Sequence, residues 1–252
     1  MENLNAKELK DVVIRFSGDS GDGMQLTGTL FSNTSALEGK GISTFPDYPA
    51  EIRAPQGTVA GVSGFQVHIG SGEVTNPGDF CDALVAMNPA ALKTQIQFLK
   101  KGGVVIIDTD SFKEADLQKA LYQTDDAIAE LGIDPAQVMS VAITTLTKES
   151  LADSGLDVKS IVRCKNIFAL GLVCWLFDRP VSQAGNMLSH KFAKKPTIAE
   201  ANVKVLNDGY NYGNNIHASV NTYRVESASV RKGIYTDLNG NTATAWGLIM
   251  AS

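Results

Sequence analysis

Short apolar runs alternate with segments of helical periodicity along most of the chain. The apolar run 12–16 leads into a cluster of glycines, after which apolar positions recur at helical spacing from about residue 24 to 38. Two later runs, "ALVAMN" (83–88) and "VVIIDTD" (104–110), are apolar rather than alternating, and "VMSVAIT" (138–144) is a further predicted strand. Runs of this kind are typical of parallel strands that are buried on both faces. The pattern therefore predicts a parallel sheet between layers of helices.

The region between residues 42 and 71 has a different pattern of residues. An extended piece, 42–45, runs into "PDYPAEIRAPQGTVAG" (46–61), whose closely spaced prolines and glycines exclude a continuous helix. The next segment, "VSGFQVHIGS" (62–71), alternates apolar and polar residues like a strand with one wet face. We therefore expect an antiparallel insertion here. Helical periodicity marks four further segments: 89–100, 165–177, 181–192 and 197–212.

Together these elements predict an α/β fold: a Rossmann-like doubly wound sheet, mostly parallel with an antiparallel insertion, followed by C-terminal helices. Residues 211–233 are rich in Asn, Ser and Gly and resemble a linker, whereas 234–252 look like a turn and the start of a helix. We expect a first domain at 1–215, a linker at 216–233 and a second domain that begins at 234 and is cut off in mid-pattern. A C-terminal helix that docks on the first domain is an equally open alternative.

Composition limits the possible partners. The net charge of -5 and the pI near 5.2 argue against a nucleic-acid partner, so any anionic ligand must be held by local contacts. No apolar run approaches the ~18 residues of a spanning helix, and the N-terminus lacks a signal sequence, so a cytoplasmic protein without a membrane partner is expected. Cys81, Cys164 and Cys174 form no C-x-x-C pair and offer no metal or disulfide set.

The glycine-rich segment "GDSGDG" (18–23) suggests three kinds of site. A trypsin-like nucleophile is excluded because Ser20 precedes all three histidines. A phosphate loop of a nucleotide hydrolase is disfavoured because Met24 and Gln25 replace its Lys and Ser/Thr. The dinucleotide fingerprint G-x-G-x-x-G is matched only in a different order of glycines.

What remains is a strand–turn–helix connection whose glycines allow a ligand or a neighbouring backbone to approach closely. Amides at the start of the following helix can face an anion. Asp19 and Asp22 oppose this use if they point at the same anion, and they can instead cap a helix or turn away. A tight turn without any ligand is an alternative with about even odds.

Several ordered motifs resemble one family. In sequence order they are "FSGDSGDGMQLTG", "TFPDYPAEIRAPQGTVAGVSGFQVHI", "DALVAMN", "LKKGGVVIIDTD" and "CKNIFALG". They are similar to the gamma-type domain of 2-oxoacid:ferredoxin oxidoreductases, above all to the fused alpha subunit of the 2-oxoglutarate branch. The resemblance covers about residues 10–215, and the tail 235–252 resembles the opening of the pyrimidine-binding alpha domain.

The resemblance implies an enzyme that decarboxylates a 2-oxoacid on thiamine diphosphate, passes electrons through an iron–sulfur cluster to ferredoxin and transfers the acyl group to coenzyme A. Coenzyme A binding and subunit assembly fall to the gamma-type domain. Thiamine diphosphate, magnesium and the cluster belong to the alpha domain, the beta subunit or other partners. We therefore assign no catalytic or metal-binding residue to this chain and expect the isolated fragment to be inactive. The alternatives are an assembly domain without a small-molecule ligand and a stand-alone NAD(P)-dependent oxidoreductase.

Residue by residue, the family's loop G-x-G-G-Q-G falls on positions 18–23, where the Gly at its third position is replaced by Ser20 and the Gln by Asp22. The resemblance thus gives these candidate coenzyme A contacts: Gly18, Asp19, Ser20, Gly21, Asp22, Gly23 and Arg53. The Arg53 guanidinium suits a phosphate or a partner domain, or it pairs with Glu51 or Asp47.

Two further polar features have a structural and a functional interpretation. For Asn166, which matches an asparagine at the start of a helix in the family, helix capping is favoured over a ligand contact. Lys191, Lys194 and Lys195 either steer an anion or are simply solvated at a helix end.

Overall fold

The computed structural model of this protein describes residues 6–19, 23–49, 59, 61–216, 222–226, 238 and 240–251. The strands are β1 (Lys7–Leu9), β2 (Asp11–Asp19), β3 (Gly41–Asp47), β4 (Val62–Gly70), β5 (Cys81–Ala86), β6 (Leu99–Asp108), β7 (Val138–Val141) and β8 (Tyr223–Val225). The helices are α1 (Met24–Leu37), α2 (Pro89–Gln95), α3 (Glu114–Lys119), α4 (Ala127–Glu130), α5 (Ile143–Ser150), α6 (Val158–Val162), α7 (Lys165–Leu176), α8 (Ser182–Lys191), α9 (Pro196–Ile216) and α10 (Gly240–Ala251).

The described residues form a central sheet with the strand order β3-β4-β2-β5-β6-β7. Strands β2, β5, β6 and β7 are parallel, whereas β4 runs antiparallel to both β2 and β3. In the register of the central strand, Ile14 lies opposite Ala83 of β5 on one side and opposite Val67 of β4 on the other. The predicted doubly wound sheet with its antiparallel insertion is confirmed.

Helices cover both faces of this sheet. Val12, Ile14 and Phe16 point toward the layer of α1 and α7, whereas Val13 points toward α2 on the opposite face. Because alternate side chains of β2 enter two different apolar clusters, the strand carries apolar residues at successive positions. Helix α7 is itself enclosed, since the sheet lies on one side of it and α9 on the other. At Gly171 an added Cβ would lie 2.1 Å from the Leu206 carbonyl oxygen, so the two helices pack backbone to backbone.

Two details of the predicted elements are wrong, and a third feature, a buried charge within the apolar run 12–16, was not predicted. The helix expected over 89–100 ends at Gln95, because a short 3-10 turn follows and β6 begins at Leu99. The strand expected to reach residue 144 ends at Val141, and α5 begins at Ile143. The apolar run 12–16 contains a buried guanidinium: Arg15 donates to Gln66 and Gln95 at 2.8 and 2.7 Å and pairs with Asp47 at 2.5 Å.

The region expected to be a linker contains ordered structure. Helix α9 continues through residue 216 rather than ending at 212, and β8 pairs in parallel with β1 near the N-terminus. Arg224 of β8 also donates from Nε to Asp178 at 2.7 Å, and Val225 is buried. The domain limits at 215, 216–233 and 234 remain predictions, because much of this region lies outside the described residues. None of the helices in the described part of the chain combines the length and apolar character needed to cross a bilayer.

Candidate functional site

The glycine turn joins the end of β2 to the start of α1. Gly18 and Asp19 are the last residues of β2, and Gly23 immediately precedes Met24, the first residue of α1. Ser20, Gly21 and Asp22 lie outside the described residues. Gly23 has φ +82, and a Cβ there would lie 2.8 Å from Nδ2 of Asn166. Both the backbone conformation and the close approach therefore require glycine at position 23.

This turn lies at the point where the fold changes direction. The connection after β2 leads to α1 on one face of the sheet, whereas the connection after the neighbouring β5 leads to α2 on the other face. Two adjacent parallel strands whose connections diverge leave a crevice beyond their carboxyl ends, and open α/β sheets bind ligands there. Helix α1 also directs its first amide groups toward this edge. The topology therefore places the glycine turn where a ligand site is expected.

Asp19 is used for helix capping, but in a neighbouring helix. The side chain of Asn88 donates from Nδ2 to Oδ1 of Asp19 at 2.7 Å, and its own Oδ1 accepts the Ala91 N–H at 2.8 Å. Asn88 is thus the N-cap of α2, and Asp19 holds the cap in place. The carboxylate of Asp19 lies across the ends of β2 and β5, and its negative charge stays at the edge of the crevice.

The acidic residues after β6 have a comparable structural use. Asp108 is fully buried and accepts hydrogen bonds from the Thr144 N–H at 3.2 Å and the Thr144 hydroxyl at 2.6 Å. Asp110 accepts from the Thr145 N–H at 2.6 Å. These contacts join the end of β6 to the first turn of α5 and explain why the strand expected up to residue 144 gives way to a helix. The "DTD" motif therefore holds the C-terminal end of β6 against the N-terminal turn of α5.

A first cavity, here called the crevice, opens beyond β2, β5 and β6. Its volume is about 330 Å³. Charged residues of both signs line it in equal number among the described residues: the acids Asp19, Asp110 and Asp116 and the lysines Lys113, Lys119 and Lys165. One of these lysines, Lys119, pairs with Asp116 at 3.2 Å. The crevice thus carries no excess of positive charge that would attract an anion.

A second cavity, here called the basic pocket, lies on the other side of the glycine turn. It has a volume of about 340 Å³ and is enclosed by the start of α1, the α6–α7 junction and the start of α9. Its cations are Arg163, Lys165 and Lys195, and none of the described residues that line it is acidic. Gly23 forms part of its wall, and Lys165 lines both cavities. Positive charge is therefore concentrated next to the glycine turn in a chain whose net charge is negative.

Asn166 contributes an unpaired polar group to the basic pocket. The residue is 5% exposed, and its Oδ1 is buried without a hydrogen-bond partner. The expectation that Asn166 caps its helix is wrong: Cys164 occupies the N-cap position of α7, and no side chain caps this helix. An unpaired buried acceptor costs about 1–3 kcal/mol, so a ligand that donates a hydrogen bond to it would recover that loss.

The other sequence-derived candidates are distributed as follows. Lys195 lines the basic pocket, whereas Lys191 and Lys194 are exposed and lie outside its lining. Arg53 falls outside the described residues, and Asp47, one of its two suggested partners, is paired with Arg15. Sequence reasoning missed Arg163. The segment "RCKN" directly before an apolar helix was the available signal, because it places two cations beside the asparagine.

Metal binding finds no support among the described residues, which contain no group of three or more His, Cys, Asp or Glu suited to an ion. Burial raises the pKa of Cys164 to about 11 and is the main cause that raises the pKa values of Cys81 and Cys174 to about 12. Because thiolates are the metal-binding form, three separate thiols held neutral do not suit a cluster.

Comparison with known proteins gives the family. Residues 13–212 match the family model described as pyruvate ferredoxin/flavodoxin oxidoreductase. The chain belongs to this family. It is 46% identical over 245 residues to the 2-oxoglutarate oxidoreductase subunit KorA of Mycobacterium tuberculosis, a match that covers 97% of this chain and 37% of that protein. It is also 29% identical over 143 residues to the pyruvate/ketoisovalerate oxidoreductases common subunit gamma of Thermococcus litoralis, covering 56% of this chain and 69% of that subunit.

Solved structures of this oxidoreductase family share the fold. The 2-oxoglutarate:ferredoxin oxidoreductase from Magnetococcus marinus, with 2-oxoglutarate, coenzyme A and succinyl-CoA bound, superposes with a TM-score of 0.65 at 23% identity. That match covers 88% of this chain and 34% of the other. The gamma subunit of a keto/oxoacid ferredoxin oxidoreductase from Geobacter sulfurreducens gives 0.55 at 24% identity, over 79% of this chain and 96% of that subunit. The resemblance inferred from the sequence motifs is therefore confirmed.

Proposed function

We propose that this chain supplies the gamma-type domain of a 2-oxoacid:ferredoxin oxidoreductase and that the domain binds coenzyme A at the glycine turn. The whole enzyme converts a 2-oxoacid and coenzyme A to acyl-CoA and carbon dioxide and passes the electrons to ferredoxin. One observation carries the proposal: the turn with the left-handed Gly23 lies at the divergence of β2 and β5, beside a pocket with three cations. Coenzyme A carries a diphosphate and a 3′-phosphate, which suit such a position.

The substrate we propose is 2-oxoglutarate. Support comes from the 46% identity to a subunit named for 2-oxoglutarate and from the similar fold of an enzyme that holds this compound. This chain spans only 37% of the length of that relative. We therefore assign the residues that contact the side chain of the 2-oxoacid to domains of the enzyme outside this chain.

Thiamine diphosphate, magnesium and the iron–sulfur cluster are assigned to the alpha domain and the beta subunit. The donor set of the described residues does not fit a metal ion or a cluster. We assign no bond-making step to this chain. Its proposed task is to bind the phosphates of coenzyme A through the amides of the turn and the neighbouring cations, and so to orient the thiol toward the reacting domain.

Assembly is the second proposed task, and α10 supports it. This helix of 12 residues contains no charged residue, and none of its described residues is buried. Trp246, Leu248, Ile249 and Met250 are between 51% and 88% exposed. A helix that is apolar all round is typical of the interior of a larger structure. We propose that residues 234–252 begin the pyrimidine-binding alpha domain and are covered by it.

Calorimetric titration of coenzyme A into the assembled oxidoreductase that contains this chain tests the binding proposal. We expect saturable binding that weakens at least about tenfold in Gly23→Ala, because the new methyl group is strained and collides with Asn166. Gly102→Ala is the matched control: Gly102 has φ +80, but nothing lies within 4 Å of an added Cβ.

Two results would replace the proposal with an alternative. No heat at millimolar coenzyme A would leave an assembly domain without a small-molecule ligand. Saturable binding of NADH or NADPH in place of coenzyme A would favour a nicotinamide-dependent oxidoreductase.

A further inference from the structure

The basic pocket combines features that one part of a nucleotide ligand would satisfy. Arg163 and Lys195 line it and form no ion pair with any described residue. Both are exposed, so their charges are available at the mouth of the pocket. The described lining contains no carboxylate, and the Asp157 carboxylate next to it is hydrogen-bonded to Ser160, so these guanidinium and ammonium groups suit a doubly charged phosphate.

The wall of the pocket contains a carboxamide without a described hydrogen-bond partner. The Asn166 side chain makes no hydrogen bond with any described residue, and its Oδ1 is buried. A carboxamide presents one acceptor and a donor side by side. Adenine presents the complementary pair, the N6 amino group and the N7 acceptor, and asparagine pairs with both at once. A phosphate or a carboxylate could not satisfy Oδ1, because neither donates a hydrogen bond when ionised.

The walls and the size of the pocket agree with a nucleoside. Leu26, Ile167, Phe192 and Ile198 give it an apolar lining suited to a base. Its volume of about 340 Å³ is at the lower end of the range for small-molecule sites, enough for one end of coenzyme A and too small for the whole molecule. Because Gly23 belongs to the wall, a ligand whose diphosphate lies at the glycine turn reaches the pocket directly.

We propose that the basic pocket is the subsite for the 3′-phosphorylated adenosine end of coenzyme A, in which Asn166 pairs with adenine and Arg163 and Lys195 hold the 3′-phosphate. The proposal rests on the proposed binding of coenzyme A at the glycine turn and adds which end of the ligand lies on which side of that turn.

The phosphate contact is tested with two ligands that differ only in that group. Coenzyme A and 3′-dephospho-coenzyme A are titrated calorimetrically into the assembled oxidoreductase, using the wild type, Arg163→Gln and Lys195→Gln. We expect the wild type to prefer coenzyme A, and each substitution to reduce that preference by about tenfold, since each removes one charged contact to the 3′-phosphate. Lys194→Gln is the control, because it removes the same charge from the adjacent exposed position, which does not line the pocket.

The base contact is tested by competition. Adenosine 3′,5′-bisphosphate should displace coenzyme A from the wild-type oxidoreductase about tenfold better than inosine 3′,5′-bisphosphate, which offers an acceptor where adenine has its amino group. In Asn166→Leu this difference should vanish. The wild-type comparison stands even if that variant does not fold.

The outcomes separate the two proposals. If coenzyme A does not bind the wild-type oxidoreductase, the proposed function itself fails. If it binds and depends on Gly23, but both ligands lose equal affinity in Arg163→Gln and Lys195→Gln, or neither loses any, the assignment of the 3′-phosphate to this pocket is wrong. Equal competition by the adenosine and inosine bisphosphates would overturn the role of Asn166.

Discussion

The two cavities beside the glycine turn have nearly the same volume, about 330 and 340 Å³, but different balances of charge among their described lining residues. The crevice balances three acids against three lysines, whereas the basic pocket has three cations and no acid among its described lining residues. Topology alone favours the crevice, because it lies where the strand connections diverge. Charge favours the pocket. We therefore expect the fold to determine where coenzyme A can lie, and the local balance of charges to determine which part of it lies in each cavity.

The use of carboxylates explains the difference between the cavities. Around the crevice, Asp19, Asp108 and Asp110 join strand ends to helix starts through hydrogen bonds to Asn88, Thr144 and Thr145. Around the basic pocket, α7 begins at an N-cap without a side-chain cap. Asp157 caps the preceding helix α6 and accepts hydrogen bonds from Ser160 of the pocket wall, but Asp157 is not itself among the described lining residues. Structural capping therefore brings a carboxylate into the lining of the crevice but not into the described lining of the basic pocket.

Charge reversal should give the largest difference in coenzyme A affinity between variants of the two cavities. In the assembled oxidoreductase, we expect the double variant Arg163→Glu/Lys195→Glu to weaken coenzyme A binding by at least about 100-fold, because each site changes from attraction to repulsion of a phosphate. The matched variant Lys113→Glu/Lys119→Glu alters the crevice by the same charge and should weaken binding by less than about fivefold. Calorimetric dissociation constants at fixed ionic strength make the comparison.

The opposite result would mean that the crevice, rather than the basic pocket, contributes more to the binding of the phosphates. A larger loss in the crevice variant than in the pocket variant would place the phosphates of coenzyme A in the crevice and would contradict the charge argument. Circular dichroism of both variants checks that neither loss is due to unfolding.

A smaller effect should come from the cap that borders the crevice. Asn88→Ala removes the side chain that caps α2 and binds Asp19, so we expect the free energy of unfolding to fall by about 1 kcal/mol. Coenzyme A affinity should change by less than about threefold, because the cap serves the fold rather than the phosphates. Chemical denaturation and calorimetry measure the two quantities.

Asp126→Ala is the control for this experiment. Asp126 caps α4 through the Ile128 and Ala129 N–H groups and does not line the crevice, so its loss should cost similar stability. If Asn88→Ala weakens coenzyme A binding strongly while Asp126→Ala does not, the crevice contributes more to binding than its charge balance suggests.

The sheet could be predicted from the sequence because a strand that is buried on both faces has apolar residues at consecutive positions. The two non-alternating apolar runs became β5 and β6, the further strand predicted at 138–144 became β7, and the alternating segment 62–71 became the antiparallel β4. Arg15 could not be predicted, because its partners Gln66, Gln95 and Asp47 come from segments that are 32 to 80 positions away. A buried cation is tolerated only when such distant groups converge on it.

The candidate site could be predicted only in part. The glycine turn was recognisable because strand, glycines and helix are adjacent in sequence. The basic pocket was not, since Arg163 and Lys195 lie on different sides of α7 and α8 in the chain and meet only through packing. Asn166 was expected to be a cap, but Cys164 takes that position. The predicted contacts with coenzyme A all stay predictions: Gly18, Asp19, Ser20, Gly21, Asp22, Gly23 and Arg53.

The effect that is smallest at neutral pH concerns the thiol in the wall of the basic pocket. Burial raises the pKa of Cys164 from its ordinary value of 9.0 to about 11. Below about pH 9 the thiol is protonated in both the folded and the unfolded chain and contributes no pH dependence. Between about pH 9 and 11 the unfolded chain loses this proton first, so stability falls as pH rises, with a limiting slope of about 1.4 kcal/mol per pH unit.

Comparing the wild type with Cys164→Ala isolates this effect from the two other buried thiols. The difference in the free energy of unfolding, followed by chemical denaturation, should be constant up to about pH 9 and should then change in favour of the variant up to about pH 11. Coenzyme A affinity of the two proteins should show the same pH dependence from about pH 7 to 9, because the pocket thiol stays neutral there. A pH-dependent difference in affinity within that range would mean that a thiolate forms in the pocket. The thiolate would reduce the net positive charge of the pocket lining.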